Sequence, residues 1–311
     1  MESNHSLEDC NIFDDNWPQW RKDLYNNGWA IVKNAITRER AEQYRQRFWD
    51  WVEVHRPGAK RNDPKSWSQH TLGADMFHGI IHGNIAHEQF MWDIRCEPAV
   101  LDIFKQIYNT EKLLASFDGG NISRPLRESE MGRSWAHFDQ GHDKFGFRCI
   151  QGLMNLEECG PHDGGLIVLQ DSHKLHDTYF QTTKETSSKD WYKFQGDPRE
   201  IPLFSKCQKI KVCCDPGDFV LWDSRTIHWA CAPTKNKGAN RCRMVTYVSM
   251  QPASLATTAT IAAKQDAFYG KFNTSHWAAE SINVFGGIKQ VNNVVLNPTI
   301  EKLAGLEYYD E

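Results

Sequence analysis

Two histidines and one carboxylate of this chain could together bind a redox-active metal ion. His137 and Asp139 stand two positions apart in the segment AHFDQ, so on an extended strand both side chains would point to the same face. His228 lies far along the chain and can join them only if a barrel brings the strands together. Two imidazoles and one carboxylate on one side of iron(II) leave its other coordination positions open for a co-substrate and dioxygen. The three residues therefore indicate a mononuclear non-haem iron site.

An H-x-D triplet is weak evidence by itself, because the chain has 13 histidines and many aspartates. Solvated or hydrogen-bonded strand histidines are the alternative interpretation. The surrounding sequence favours a metal site. Residues 148–156 and 166–173 are strand-like runs separated by a turn rich in glycine and proline, which predicts a hairpin after the first motif. His228 follows a turn at 216–218 and an apolar, aromatic strand.

The elements that must position these residues change from helices to strands along the chain. Apolar residues at helical spacing predict helices over 17–28, 37–55 and 87–110, the last broken near Pro98. Strand-like segments follow one another from residue 113, and two helices close the chain. This order suits a mostly β fold with flanking helices (α+β), in which a double-stranded β-helix, or jelly-roll (cupin-like) barrel, carries helices on its outside.

The length and composition are those of one compact domain. A chain of 311 residues with 40% hydrophobic content can bury one large core, and no repeat divides it. We expect a helical region over 1–112, a barrel core over 113–253 and a C-terminal helical extension over 254–311. The stretch 58–84 is rich in Gly, Pro, Asn and His, and its length predicts a functional lid.

Charge and cysteine content exclude several classes of protein. A net charge of −4 and a pI near 6.4 provide no basic stripe for nucleic acid. The nine cysteines contain no C-x-x-C pair and are typical of reduced intracellular thiols. The acidic, polar N-terminus and the lack of any run of about 18 apolar residues predict neither secretion nor membrane spanning. We expect a cytoplasmic protein with a small-molecule partner, and these features leave its oligomeric state open.

The ordered set of motifs resembles the phytanoyl-CoA dioxygenase family of iron(II)- and 2-oxoglutarate-dependent oxygenases, over roughly residues 20–255. That family has an H-x-D on its first barrel strand, a GGxxVxxGSH segment, a G-D turn before the distal histidine, and an arginine beyond it. The matching positions here are His137-Phe138-Asp139, GGLIVLQDSH (164–173), Gly217-Asp218 with His228, and Arg243. Gln170-Asp171 replaces the usual Pro-Gly, and Ala230 stands where several relatives carry a hydroxyl group that touches the co-substrate.

The resemblance implies that His137, Asp139 and His228 hold iron(II), that 2-oxoglutarate chelates the metal, and that dioxygen is the other co-substrate. The far carboxylate of 2-oxoglutarate needs a bidentate cation, for which the planar fork of arginine is suited. Arg241 and Arg243 share strand parity, so alternation cannot choose between them. The strand that follows the arginine in the family favours Arg243.

Two amides are further candidates for contact with 2-oxoglutarate. Gln151 stands where relatives place a polar or aromatic residue against the co-substrate, and Asn121 lies on the preceding strand. An ordinary hydrogen-bonded barrel residue is the alternative for each, and for Asn121 it is favoured. Halogenating relatives replace the metal-binding carboxylate by a small residue. The presence of Asp139 therefore favours hydroxylation or desaturation.

The substrate leaves a fainter trace in the sequence. Trp135 shares the inward parity of the H-x-D pair, while Trp222 and Arg225 lie on the approach to His228, so they could line a pocket for a small molecule. Core packing is the alternative for Trp222. Nothing resembles a phosphate-binding loop for coenzyme A. We expect a small-molecule hydroxylase that releases succinate and CO2. The alternatives are a cupin-type metal enzyme that does not use 2-oxoglutarate and an inactive barrel that acts as a binding module.

Overall fold

A computed structural model describes residues 7–68, 70–72, 79–81, 84–125, 135–187, 190–234, 237–238, 240–286 and 293–309. The α-helices in these ranges are α1 (Gln19–Asn27), α2 (Arg38–His55), α3 (Gln89–Arg95), α4 (Pro98–Tyr108), α5 (His176–Thr183), α6 (Thr258–Tyr269) and α7 (Pro298–Ala304). The strands are β1 (Trp29–Val32), β2 (Ile80–Ile81), β3 (Leu113–Ala115), β4 (Gly120–Ser123), β5 (His137–Phe138), β6 (Ile150–Asn155), β7 (Gly165–Leu169), β8 (Tyr192–Lys193), β9 (Lys209–Lys211), β10 (Phe219–Asp223), β11 (His228–Cys231), β12 (Arg243–Pro252), β13 (Asn273–Thr274) and β14 (Val284–Phe285).

Several helix ends carry residues that are suited to that position. The Thr37 hydroxyl accepts the Arg40 N–H at 3.1 Å and caps α2. Gly28 ends α1 with a φ of +81°, a left-handed conformation that glycine adopts without strain. Pro98 is the first residue of α4, where its missing N–H costs no helical hydrogen bond. The predicted N-terminal helices are confirmed, and so are the C-terminal helices α6 and α7.

Two antiparallel sheets form the centre of the molecule. The larger has seven strands in the order β1-β10-β6-β12-β4-β2, with β3 also paired to β12. The smaller has five strands in the order β8-β5-β11-β7-β9. One large apolar cluster joins Phe48 of α2 and Phe104 of α4 to Phe219 and Met154 of the larger sheet. The mixed α+β, jelly-roll fold is therefore confirmed, although the described strands do not pair into a closed barrel.

The predicted hairpin over 148–173 is wrong. β6 pairs with β10 and β12 in the larger sheet, whereas β7 pairs with β9 and β11 in the smaller one. The glycine-rich turn between them thus carries the chain from one sheet to the other. Turn composition shows where a strand ends, but long-range pairing decides which sheet the next strand joins.

The predicted lid over 58–84 lies partly outside the described residues, since 69, 73–78 and 82–83 are not among them. The strand β2 at its end pairs with β4, where Ile80 lies opposite Asn121. Among the helices of the described ranges, none has both the length and the apolar character needed to cross a bilayer.

Candidate active site

Three candidate metal ligands meet where strands β5 and β11 pair. His137 and His228 are direct partners in the register of these strands, and Asp139 follows the end of β5. The Nε2 atom of His137 lies 3.5 Å from Oδ1 of Asp139, and Nε2 of His228 lies 3.3 Å from Oδ2. One possible ligand atom from each of the three residues lies within 4.8 Å of the other two, and both imidazoles are buried. The fold thus brings together the three residues that the sequence singled out.

The two imidazoles are oriented in the same way. His137 Nδ1 lies 2.8 Å from the Trp135 carbonyl oxygen, and His228 Nδ1 lies 2.9 Å from that of Thr226. A carbonyl can only accept, so Nδ1 of each ring donates. In the neutral form of each ring, Nε2 then carries the lone pair and faces the carboxylate. Metal-binding histidines are commonly oriented by such a bond from the other ring nitrogen.

The electrostatics of this cluster suit a divalent cation. Burial lowers the pKa of His137 to about 3, and the neighbouring His228 adds to the effect. Burial alone would raise the pKa of Asp139, but the attraction of the His137 and His228 imidazoles in their protonated form outweighs it and holds that pKa below its ordinary range. At neutral pH the neutral imidazole of His137 and the ionised carboxylate of Asp139 therefore both present lone pairs to the space between them. Two nitrogens and one oxygen fit the facial donor set of iron(II).

Gln151 holds the carboxylate of Asp139 from the opposite sheet. It lies on β6, and its Nε2 donates to Oδ2 of Asp139 at 3.0 Å. The resemblance to the family predicts that this amide contacts the co-substrate. The structure brings it to the cavity wall and directs its donor to Asp139. Such contacts to a metal-binding carboxylate fix its orientation.

The guanidinium group of Arg243 lies in the part of the cavity wall that the larger sheet forms. Arg243 begins β12, and its side chain lies beside the hydroxyl of Tyr247 four residues later, as does that of Asn121. Burial is the main reason that the pKa of Tyr247 is raised. No carboxylate of the described residues forms an ion pair with Arg243. By contrast, Arg241 binds Glu158 at 2.5 Å and Asp163 at 3.4 Å and does not line this cavity.

Four tryptophans line the cavity that contains the candidate metal ligands. The cavity has a volume of about 380 Å³, and its wall includes Trp135, Trp191, Trp222 and Trp229. Trp135 stacks on His137 with ring centroids 4.5 Å apart, and Trp222 lies 5.4 Å from the ring of His228. Trp222 is almost fully buried, so it serves the core and the cavity wall together.

Arg225 is not brought to this cavity. Its guanidinium forms two hydrogen bonds to the carboxylate of Asp223, at 2.9 and 2.8 Å. This pair lies within a single turn, where the two residues are too close in sequence for a strand pattern to reveal their contact.

Several cavity residues were not predicted from the sequence, and Trp191, Ser275, His276 and Phe285 are among them. Trp191 precedes β8, while Ser275, His276 and Phe285 belong to the segment around the β13–β14 pair. None of them stands in a motif with regular spacing. Trp191, His276 and Phe285 are of types that many core positions share, and Ser275 carries no signal in the sequence.

Comparisons with known proteins agree with this geometry. The family model described as "Phytanoyl-CoA dioxygenase (PhyH)" matches residues 24–239. The "Ava biosynthesis cluster protein O" of Aspergillus versicolor is 30% identical over 270 residues, which cover 84% of this chain and 86% of that protein.

Solved structures share the fold at low identity. EctD from S. alaskensis, solved with 2-oxoglutarate and 5-hydroxyectoine, gives a TM-score of 0.52 at 12% identity, and the match covers 78% of this chain and 79% of EctD. The epimerase SnoN, solved with Fe3+, alpha ketoglutarate and nogalamycin RO, gives 0.50 at 15% identity and covers 79% and 84%. Because the family match spans more than half of the chain and includes His137, Asp139 and His228, this protein belongs to the phytanoyl-CoA dioxygenase family of iron(II)- and 2-oxoglutarate-dependent oxygenases.

Proposed function

We propose that this protein hydroxylates an aliphatic carbon of a small, ring-containing organic molecule and releases succinate and CO2. The observation that carries the proposal is the position of the His137, Asp139 and His228 cluster in a cavity lined by tryptophans. An iron(II) centre with dioxygen and 2-oxoglutarate supplies the oxidising power for such a reaction. The residues of the chain bind, orient and shield the reactants.

Seven polar residues of the cavity have proposed roles. His137, Asp139 and His228 hold the metal, and Gln151 fixes the carboxylate that completes the set. Arg243 binds the far carboxylate of 2-oxoglutarate, because it is the cavity arginine without an ion-pair partner in the described part of the chain. Its planar fork matches a carboxylate in two hydrogen bonds. Tyr247 and Asn121 orient this guanidinium.

Arg241 fits this role less well. Its guanidinium already binds Glu158 and Asp163, so an incoming carboxylate would have to compete with two anions of the chain. The ion pairs of Arg241 therefore favour Arg243 as the residue that binds 2-oxoglutarate, a choice that strand parity left open.

The shape and lining of the cavity restrict the substrate. A volume of about 380 Å³ must receive both 2-oxoglutarate and the substrate, which is near the low end of ligand pockets. A complete coenzyme A thioester is far too large to be enclosed there. Flat indole faces favour aromatic or alicyclic rings through stacking and apolar contact. The name of the Aspergillus versicolor relative further supports a biosynthetic intermediate as substrate.

A cytoplasmic location is part of the proposal. All nine cysteines are free thiols, and both reduced thiols and iron(II) persist in a reducing compartment.

Turnover of 2-oxoglutarate tests the proposed reaction. The protein is incubated in air with iron(II), ascorbate, 2-oxoglutarate and a panel of hydroxylated aromatic and alicyclic compounds, and succinate is measured. We expect succinate that requires iron(II), increases with some members of the panel and is absent with His228→Ala. Oxidation of a panel compound without consumption of 2-oxoglutarate would instead support the cupin-type alternative. Ligand binding without any oxidation would support the binding module.

A further inference from the structure

A histidine from the C-terminal part of the chain contacts the backbone of the candidate metal ligand Asp139. The Nε2 atom of His276 lies 2.9 Å from the carbonyl oxygen of Asp139. Because that oxygen can only accept, Nε2 of His276 carries the hydrogen. His276 lies well beyond the residues 24–239 that match the family model.

Asp139 depends on such contacts because it lies outside regular structure. The strand β5 has only two residues and ends at Phe138. The Asp139 N–H donates to the Ser224 carbonyl at 3.0 Å, and its carbonyl accepts from His276. Its carboxylate accepts from Gln151. His276 thus holds the side of the Asp139 backbone that the strand ladder leaves without a partner.

The segment that carries His276 is itself anchored to the larger sheet. Oε1 of Gln251, on β12, accepts the backbone N–H groups of Ala278 at 3.0 Å, Ala279 at 3.0 Å and Glu280 at 3.2 Å. Gln251 is fully buried, and its Nε2 donates to the Arg148 carbonyl at 3.2 Å. These bonds fix the backbone just after His276, so its ring has a defined position.

We propose that His276 is a positioning residue for the metal site, which holds the Asp139 backbone so that the carboxylate meets the two imidazoles. This inference rests on the proposed metal-binding role of His137, Asp139 and His228. The segment around His276 then supports a metal centre whose ligands lie on β5, on β11 and directly after β5.

Three substitutions separate the hydrogen bond from the bulk of the ring. The amide nitrogen of a glutamine can reach the position of Nε2 and donate to the Asp139 carbonyl. The shorter asparagine places its amide near the position of Nδ1 instead, and alanine removes both. The proposal therefore requires the metal affinity of His276→Gln to exceed that of His276→Asn and His276→Ala.

His87 offers a matched control. Its buried ring makes the same kind of bond, from Nε2 to the Phe272 carbonyl at 2.7 Å, directly before β13. His87→Ala therefore removes a histidine anchor from the same segment without touching Asp139. A loss of metal affinity caused by general loosening of the segment would occur in both alanine variants.

The readout is the affinity for Co(II), measured by its visible absorption in the absence of 2-oxoglutarate, with thermal unfolding in parallel. We expect affinity about tenfold or more weaker in His276→Ala and His276→Asn, near that of the unsubstituted protein in His276→Gln, and little changed in His87→Ala. Equal affinities in the unsubstituted protein and His276→Asn, or an equal loss in His87→Ala, would overturn the positioning role. If His276→Ala does not fold, the order of the Gln and Asn variants still decides.

The same titration separates this inference from the proposed function. An unsubstituted protein that binds Co(II) but not 2-oxoglutarate would contradict the proposed reaction and leave the role of His276 to be decided by its variants. An unsubstituted protein that binds no metal would contradict both.

Discussion

The Nε2 atom of His137 faces Oδ1 of Asp139 at 3.5 Å, and at neutral pH both atoms are hydrogen-bond acceptors. The Nδ1–H of His137 donates to the Trp135 carbonyl, and burial lowers the pKa of the ring to about 3. A divalent cation placed between such lone pairs binds to both. This relationship explains why the cluster is suited to a metal rather than to an ordinary ion pair.

Loss of any one ligand is expected to abolish metal-dependent stabilisation. A metal at a hundred times its dissociation constant stabilises the fold by about 2.7 kcal/mol. His137→Ala, Asp139→Ala and His228→Ala should each remain folded and lose most of this increase, which thermal unfolding with and without Co(II) measures. Full metal stabilisation in His228→Ala would show that β11 does not supply the distal ligand.

Replacement of Arg243 should weaken the binding of 2-oxoglutarate and leave the binding of the metal unchanged. Removing a bidentate cation from a buried carboxylate costs about 2–5 kcal/mol, which is roughly thirtyfold or more in affinity. Arg243→Ala should therefore lose 2-oxoglutarate binding, and Arg243→Lys should recover only part of it, because one ammonium cannot reproduce the fork.

Arg241→Ala is the matched control for that prediction, since Arg241 binds Glu158 and Asp163 outside the cavity. Its affinity for 2-oxoglutarate, measured by equilibrium dialysis with Co(II), should change little. The opposite order of the two alanine variants would assign the co-substrate to Arg241.

Gln251, which anchors the backbone of residues 278–280, should contribute to the stability of the fold. In Gln251→Leu, the buried backbone N–H groups of Ala278 and Ala279 and the partly buried one of Glu280 lose their acceptor, and each buried loss costs about 1–3 kcal/mol. We expect a decrease of several kcal/mol in the free energy of unfolding, measured with urea. Gln251→Glu keeps an acceptor oxygen and should be milder. An equal effect of the two substitutions would argue against the anchoring role.

A buried lysine predicts a specific pH dependence of stability. Lys264 of α6 is fully buried, its Nζ donates to the Ala115 carbonyl at 2.6 Å, and burial lowers its pKa to about 7. The unfolded chain keeps this proton up to about pH 10.4, so between pH 7 and that value unfolding takes up a proton. The contribution of Lys264 to stability therefore rises with pH by up to about 1.4 kcal/mol per unit and is lost as the pH falls towards 7.

Lys264→Met removes this dependence and serves as the test. Its free energy of unfolding, relative to the unsubstituted protein, should be higher at pH 7 than at pH 9. The exposed Lys206→Met is the control and should show the same difference at both values. An equal difference for Lys264→Met at pH 7 and pH 9 would mean that this lysine keeps its ordinary pKa in the folded protein.

Local signals made much of the fold predictable. The Thr37 cap and Gly28 fix helix ends through bonds within a few residues, so the pattern that reveals them is short. The assignment of β7 to the smaller sheet depends on pairing with β9 and β11, which no local pattern encodes. The predicted hairpin was wrong for that reason.

The candidate site was predictable to the extent that its residues stand in spaced motifs. His137, Asp139 and His228 do, and the fold brings them together. His276 reaches Asp139 from 137 positions away, and only the tertiary fold reveals such a contact. The sequence predicts Arg225 on the approach to His228, whereas a turn directs its side chain to Asp223, two residues before it.

The most direct test of the account is anaerobic titration of the protein with iron(II) and 2-oxoglutarate. Bidentate chelation of the metal by the 2-oxo acid produces a visible charge-transfer band, which appears only when both bind at one site. The account predicts this band for the unsubstituted protein, its loss in Asp139→Ala, and a requirement for much more 2-oxoglutarate in Arg243→Ala. A folded, iron-loaded protein that shows no band at saturating 2-oxoglutarate would contradict the central claim.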